Sequence, residues 1–226
     1  MKIAVLGTGM VGQALAGRLA ELGHEVTVGT RDVEATLAKT TPDAMGNPPY
    51  AAWAPAHPTV KLATFAAAAG DAELLVNATS GNVSIAALQA AGSDNLAGKV
   101  LLDIANPLDF SQGFPPSLFV KDTDSLGEQI QAAFPQLKVV KALNTMTAAL
   151  MVNPQLLANG DHSVFVSGND AEAKETVTGL LESFGHTDVI DLGDISTARG
   201  SEMVLPIWLR LMGALNTPVF NLKVVR

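Results

Sequence analysis

The sequence predicts an α/β protein on a doubly wound, mostly parallel sheet, and three observations carry that prediction. An apolar strand pattern, Ile3-Ala4-Val5-Leu6, runs straight into a glycine-rich turn that opens an apolar helix. Strand and helix patterns then alternate through the first half of the chain, as β-α-β construction requires. The composition is that of a globular chain: 226 residues, 48% hydrophobic and 16% charged, long enough to bury a full core.

Element by element, Lys2 to Leu6 is the first strand. Val11, Leu15, Leu19 and Leu22 repeat at helical spacing, and Gly23 is a natural stop. Glu25 to Val28 is a second strand, after which Asp32 caps a helix over Val33 to Lys39. Residues 42–58 carry Pro42, Pro48, Pro49, Pro55 and Pro58 among Met45, Tyr50 and Trp53. This stretch reads as an irregular insertion on the surface or at the lip of a pocket, anchored to the body by its aromatic residues. Order returns with a helix near Phe65 to Ala69, a strand at Glu73 to Asn77, a helix at Val83 to Ala91 and a strand at Lys99 to Ile104. A loop over 106–123 leads to a helix at Ser125 to Phe134, ended by Pro135, and a strand at Lys138 to Leu143. The rest supplies a strand at Ser163 to Val166, a helix at Ala171 to Phe184 and a strand near Thr187 to Asp191. An apolar helix from about Ala198 to Leu215, bent or interrupted at Pro206, closes the series.

The turn Gly7-Thr8-Gly9-Met10-Val11-Gly12 fits G-x-G-x-x-G in the context that gives the pattern meaning, between a strand and a helix. Gly7 permits the tight turn, Gly9 lets backbone approach a pyrophosphate, and Gly12 allows close helix packing. The helix N-terminus adds unpaired N–H groups and a positive dipole end. This is a Rossmann-type site. The expected division is a dinucleotide-binding domain over 1–145 and a smaller C-terminal α/β portion over 146–226 that ends in the apolar helix.

The end of the second strand selects the nucleotide. NAD sites keep Asp or Glu there for the ribose hydroxyls, whereas this chain has Val28-Gly29-Thr30-Arg31. A hydroxyl and a guanidinium suit a 2′-phosphate, which a carboxylate would repel. Asp32 is assigned to the helix cap, so the expected cofactor is NADP(H).

Other classes are excluded. A net charge of −8 argues against nucleic-acid binding. The absence of cysteine removes disulfides, thiolate metal sites and thiol nucleophiles. The four histidines fit no metal-ligand spacing, and Ser80, Ser111 and Ser201 lack a partnered His and Asp. No apolar run reaches membrane-spanning length and no signal pattern opens the chain, so a cytoplasmic protein with no membrane partner is expected.

The motifs together resemble a known family. The run Gly7 to Gly12, then Leu22-Gly23-His24-Glu25-Val26, then Val28 to Arg31, is similar to the NADP oxidoreductases that act on coenzyme F420, an 8-hydroxy-5-deazaflavin. Asp103 to Leu108, Lys141 to Met146, Val164 to Gly168 and Ser201-Glu202 continue the likeness over most of the chain, the proline-rich segment being the main departure. The resemblance implies hydride exchange between NADPH and a flavin-like ring stacked above it, with no side chain acting as acid or base in the hydride step. It implies cofactor walls at Ala78-Thr79-Ser80 and Ala105-Asn106-Pro107, with Asn106, Asn144 and Thr145 as orienting residues. Asn144, Thr145 and Phe220 are implied as the wall of the second substrate. The family carries histidine where this chain has Asn144, and lysine at the 2′-phosphate where it has Ala35. That leaves the acceptor open among deazaflavin, an ordinary flavin and a small imine or carbonyl compound, with a non-enzymatic NADP sensor as a further alternative. The late apolar helix, bearing Ile207, Trp208 and Leu211, is expected to be buried in core or in a homodimer interface.

Overall fold

The computed structural model describes residues 1–43 and 46–226. In chain order these form β1 (Lys2–Leu6), α1 (Met10–Glu21), β2 (Glu25–Thr30), α2 (Val33–Ala38), α3 (Tyr50–Trp53), β3 (Lys61–Thr64), α4 (Phe65–Asp71), β4 (Leu74–Asn77), α5 (Ser84–Ala91), α6 (Ser93–Leu96) and β5 (Val100–Asp103). They continue with β6 (Leu108–Asp109), β7 (Ser117–Leu118), α7 (Leu126–Ala133), β8 (Lys138–Ala142), α8 (Ala148–Val152), β9 (Ser163–Gly168), α9 (Ala171–Phe184), β10 (Asp188–Gly193), α10 (Ala198–Met203) and α11 (Leu205–Leu215).

Eight strands make one sheet in the order β10-β9-β8-β5-β4-β1-β2-β3. Every pairing is parallel except β8 with β9. Strands buried on both faces need apolar residues at every position, which explains the unbroken run in β1. Ile3 and Val5 enter the core on one face with Leu15 and Leu19 of α1 and Leu181 of α9. Ala4 and Leu6 enter the other with Ala68 of α4, Leu88 of α5 and Ile130 of α7. Each fully buried leucine contributes roughly 1.5–3 kcal/mol of hydrophobic stabilisation. The sheet reverses its winding between β1 and β4, whose register sets Leu6 beside Asn77. A crevice opens above the strand C-termini at such a point. Strands β9 and β10, from beyond residue 145, extend the same sheet.

The fold class is the one expected, with local corrections. Residues 61–64, to which the sequence assigns no element, form the edge strand β3. The loop over 106–123 contains the β6–β7 hairpin, and a short helix follows Thr147 where none was expected. The late apolar segment is two helices, with Pro206 in the first turn of the second, where its missing N–H costs nothing. The insertion is anchored by its aromatics: Tyr50 is buried in the core, and Trp53 stacks on His57 at 3.9 Å. Met45 lies outside the described residues. Among the described residues no helix is long and apolar enough to cross a membrane.

Candidate functional site

The glycine turn has the geometry its spacing requires. Gly7 adopts φ +123°, a conformation open to glycine and strained for other residues. A Cβ at Gly7 would strike the carbonyl of Ala78, and one at Gly12 would strike the carbonyl of Gly7. The turn is thereby wedged between β4 and its own helix. Gly9 differs, because a Cβ there would stand in open space. It caps α1 without a side-chain hydrogen bond, and the first turn holds no acidic residue. The N–H groups of that turn are left for an anion.

Two cavities flank this turn and share Met10, Ala78, Thr79 and Ser80 as common wall. The first, about 730 Å³, runs from Gly7, Thr8 and Gly9 to Gly29, Thr30 and Arg31. Its far side is made by Asn47, Pro48, Pro49 and Tyr50, so the insertion forms the lip of a pocket. Gln13 ties it there, donating from Nε2 to the carbonyls of Thr8 (2.9 Å) and Pro48 (3.2 Å). Asp32 caps α2 as expected, accepting from the Ala35 N–H at 2.9 Å. Arg31 and Lys39 both line the cavity, and neither pairs with a carboxylate among the described residues. Lys39 was missed from sequence. It stands four residues after Ala35, one helical turn beyond the place where the family keeps its lysine. The Thr30 hydroxyl lies 2.7 Å from that of Thr36, which itself donates to the Asp32 carbonyl. The proton between the two hydroxyls therefore comes from Thr30, which is engaged within the protein.

The second cavity, about 900 Å³, is walled by the ends of β4, β5 and β8, by the β6–β7 hairpin and by α8 and α11. Val11, Ala105, Asn106 and Asn144 line it, while Gly12, Pro107, Thr145 and Phe220 line neither cavity. Pro107 and Thr145 are buried behind the wall. Phe220 stacks on Trp208 at 5.1 Å, and Trp208 is the ring that lines the cavity. Among the described residues the only charged one on this lining is Asp109, whose carboxyl is held below its ordinary pKa by hydrogen bonds from Ser111.

The two asparagines are knitted together. Asn106 donates from Nδ2 to the Asn144 carbonyl at 2.9 Å, and Asn144 donates to Asn106 Oδ1 and to the Ser201 carbonyl, each at 3.1 Å. Leu143, at φ +62°, turns the chain into this position at a cost of roughly 1–2 kcal/mol. A Cβ at Gly81 would collide with the Asn106 carbonyl, so the loops after β4 and β5 touch backbone to backbone. Thr79 spends its hydroxyl on Asn77 Oδ1 (2.7 Å), a loop-holding bond.

Beneath these loops lies a buried ion cluster that no local motif announced. Lys141 Nζ contacts Asp103 Oδ2 at 2.6 Å and Glu202 Oε1 at 2.8 Å, and donates to the Ala105 carbonyl at 2.7 Å. Burial pulls the ammonium down, but the two carboxylates outweigh it and hold its pKa above the ordinary lysine value. Glu202 also accepts the N–H groups of Leu126 (2.8 Å) and Gly127 (3.0 Å), seating its charge on the N-terminus of α7. Asp103 Oδ1 accepts from Asn77 Nδ2 at 2.8 Å. One lysine thus ties the ends of β4, β5, β8 and α7 to α10. The histidines serve elsewhere: His186 is buried with Nε2 3.0 Å from the Met151 carbonyl, and burial lowers its pKa.

A glycine-wedged turn at the switch point of a doubly wound sheet, beside Arg31 and Lys39, defines a dinucleotide-binding protein of the Rossmann type. Residues 2–107 match the family model for coenzyme F420-dependent NADP oxidoreductases. A crystal structure from Arthrobacter sp. FB24, described as a candidate F420-dependent NADP-reductase, is 65% identical, covers 100% of both chains and superposes with a TM-score of 0.96. The F420-dependent NADP reductase of Methanothermobacter marburgensis is 28% identical over 217 residues, 93% of this chain and 92% of that one. The metalloreductase STEAP3 of Rattus norvegicus is 28% identical over 212 residues, 92% of this chain, which spans 38% of that relative's length. The chain belongs to the F420-dependent NADP oxidoreductase family and is an NADP-dependent oxidoreductase.

Proposed function

We propose that the protein transfers hydride between NADP(H) and a planar flavin-like acceptor such as the deazaflavin coenzyme F420. One observation carries this reading: a cavity lined by Arg31 and Lys39, neither of which pairs with a carboxylate among the described residues, shares a single wall at the glycine turn with a cavity lined by no cation among the described residues. An extended dinucleotide fits that layout, its phosphates on one side and its nicotinamide at the junction. Bound there, NADPH gives up a hydride to become NADP+, and the acceptor takes that hydride with a proton from solvent.

The protein's part is to hold two rings in contact, which alone supplies a large share of the barrier reduction. The α1 N-terminus at Gly9 and Met10 binds the pyrophosphate. Arg31 clamps the 2′-phosphate, and Lys39 supplies the second cation in place of the family lysine absent at Ala35. Asn106 and Asn144 orient the carboxamide or the acceptor ring, with Asn144 held by Asn106 and the Ser201 carbonyl. Residues 146–226, as a smaller C-terminal portion, close the far side of the acceptor cavity. Reduction of a small imine or ketone commonly needs a proton donor beside the reduced atom. Among the described residues the acceptor cavity is lined by no Lys, His or Tyr, and its one carboxyl, Asp109, favours the ionised form. This supports the planar acceptor over the small imine or carbonyl compound.

Steady-state oxidation of NADPH, with NADH in parallel, against F420, FMN and a panel of cyclic imines and ketones tests the reading. Turnover with F420 or FMN and a preference for NADPH is expected; turnover confined to imines or ketones would overturn it. We further infer a homodimer joined through α11, where Ile207 and Leu215 are exposed. Light scattering giving a monomer at micromolar concentration would end that inference.

A further inference from the structure

The β6–β7 hairpin presents three phenylalanines. Phe110 is 53% exposed, Phe114 62% and Phe119 43%, and none packs against another ring among the described residues. Leaving three large aromatic faces in water on one loop runs against the hydrophobic effect and marks a contact surface. The three are not equivalent. Phe110 and Phe119, at the two ends of the hairpin, line the acceptor cavity, whereas Phe114, at its tip, does not. The hairpin is held in register by the pairs Leu108–Leu118 and Asp109–Ser117. Its base is pinned by the Phe119 N–H on the Pro107 carbonyl at 2.9 Å. On another element of the same cavity, Trp208 is already backed by Phe220.

We propose that Phe110 and Phe119 are the residues that select the acceptor, by stacking on a planar, heteroaromatic ring. The proposal rests on the function given above and narrows its substrate class. Aromatic faces on two different elements, with a single carboxylate as the only charge among the described lining residues, give such a ring dispersion and stacking contacts that a small aliphatic imine cannot use. The hairpin residues bind and orient the acceptor and take no part in proton transfer.

The test measures two quantities for Phe110→Ala, Phe119→Ala and Phe114→Ala. One is the KM for F420 in NADPH-dependent turnover. The other is the dissociation constant of oxidised F420 with NADP+ bound, followed by deazaflavin fluorescence without turnover. Alanine substitution at single stacking contacts with nucleobases gives the scale, so Phe110→Ala and Phe119→Ala should each weaken F420 by about 10-fold. The affinity for NADPH should not change, and Phe110→Tyr should restore F420 binding where Phe110→Leu does not. Phe114→Ala should alter neither quantity, which separates stacking from loss of the hairpin. Wild-type turnover of F420 with unchanged constants in both cavity variants would overturn the proposal and leave the function standing. Equal losses in all three variants would overturn it too, pointing to a general role of the hairpin. Failure of the wild-type protein to bind or reduce F420 or FMN would instead sink the underlying function.

Discussion

The two cavities are built by opposite means. The phosphate end of the nucleotide cavity is built from backbone: a turn of glycines, a helix N-terminus without a side-chain cap, and peptide groups wedged against neighbouring strands. The acceptor cavity draws on large side chains, with methionines, phenylalanines and a tryptophan brought from separate stretches of sequence. Backbone sites depend on where atoms may not be, so one added methyl group is ruinous. Side-chain sites depend on the sum of many contacts, and single losses there are graded.

Substitutions can break or sharpen that contrast, and the largest effect is expected below the acceptor loops. Lys141→Met leaves Asp103 and Glu202 buried without their counter-ion, which costs about 3–5 kcal/mol of folding stability. Chemical denaturation should read this as a lowered midpoint; an unchanged midpoint would show that the cluster is not a clamp. The raised pKa of Lys141 adds a pH signature, since its contribution is complete below the ordinary lysine value and is lost as pH rises through the higher folded value. Wild-type stability attributable to this residue should therefore persist through pH 9 and decline only in strong alkali. Gly12→Ala comes next, pressing a methyl group on the Gly7 carbonyl and lowering NADPH affinity by about 100-fold, near the upper end of overpacking costs.

Arg31→Ala follows, with an expected 10- to 50-fold loss of NADPH affinity, about the worth of a charge-assisted hydrogen bond, and little change for NADH. Equal losses for the two nucleotides would show that the clamp lies elsewhere. Lys39→Ala should give the same selectivity at smaller amplitude, about 3- to 10-fold, because an exposed ammonium is largely screened. The smallest effect is expected from Thr30→Val, under about 2-fold, since its hydroxyl is already spent on Thr36. Isothermal titration of NADPH and NADH into each variant ranks all three.

The contrast between the cavities also explains what could be read from sequence. The nucleotide side was legible because its constraints are local: six residues fix the turn, and Val28 to Arg31 follow at a set distance. Lys39 escaped because the expected position was Ala35, and only the helix of α2 makes a residue four further on equivalent. On the acceptor side Asn106 and Asn144 came from the family resemblance, whereas Phe110, Phe119 and Trp208 have no shared pattern and meet only in three dimensions. Phe220 was assigned to the wall and is found one ring behind it, on Trp208. The Lys141 cluster joins residues 103, 141 and 202, a pairing that only the completed sheet and α10 produce.

That cluster has a thermodynamic consequence for ligand capture. The loops bearing Ala105, Asn106 and Asn144 are tethered from below through Lys141 and to one another through their amides. Their backbone entropy is surrendered when the chain folds, so it need not be surrendered again when two ligands meet above them. Association there should proceed as docking onto a rigid rim, with heat-capacity changes set by the area covered rather than by loop ordering.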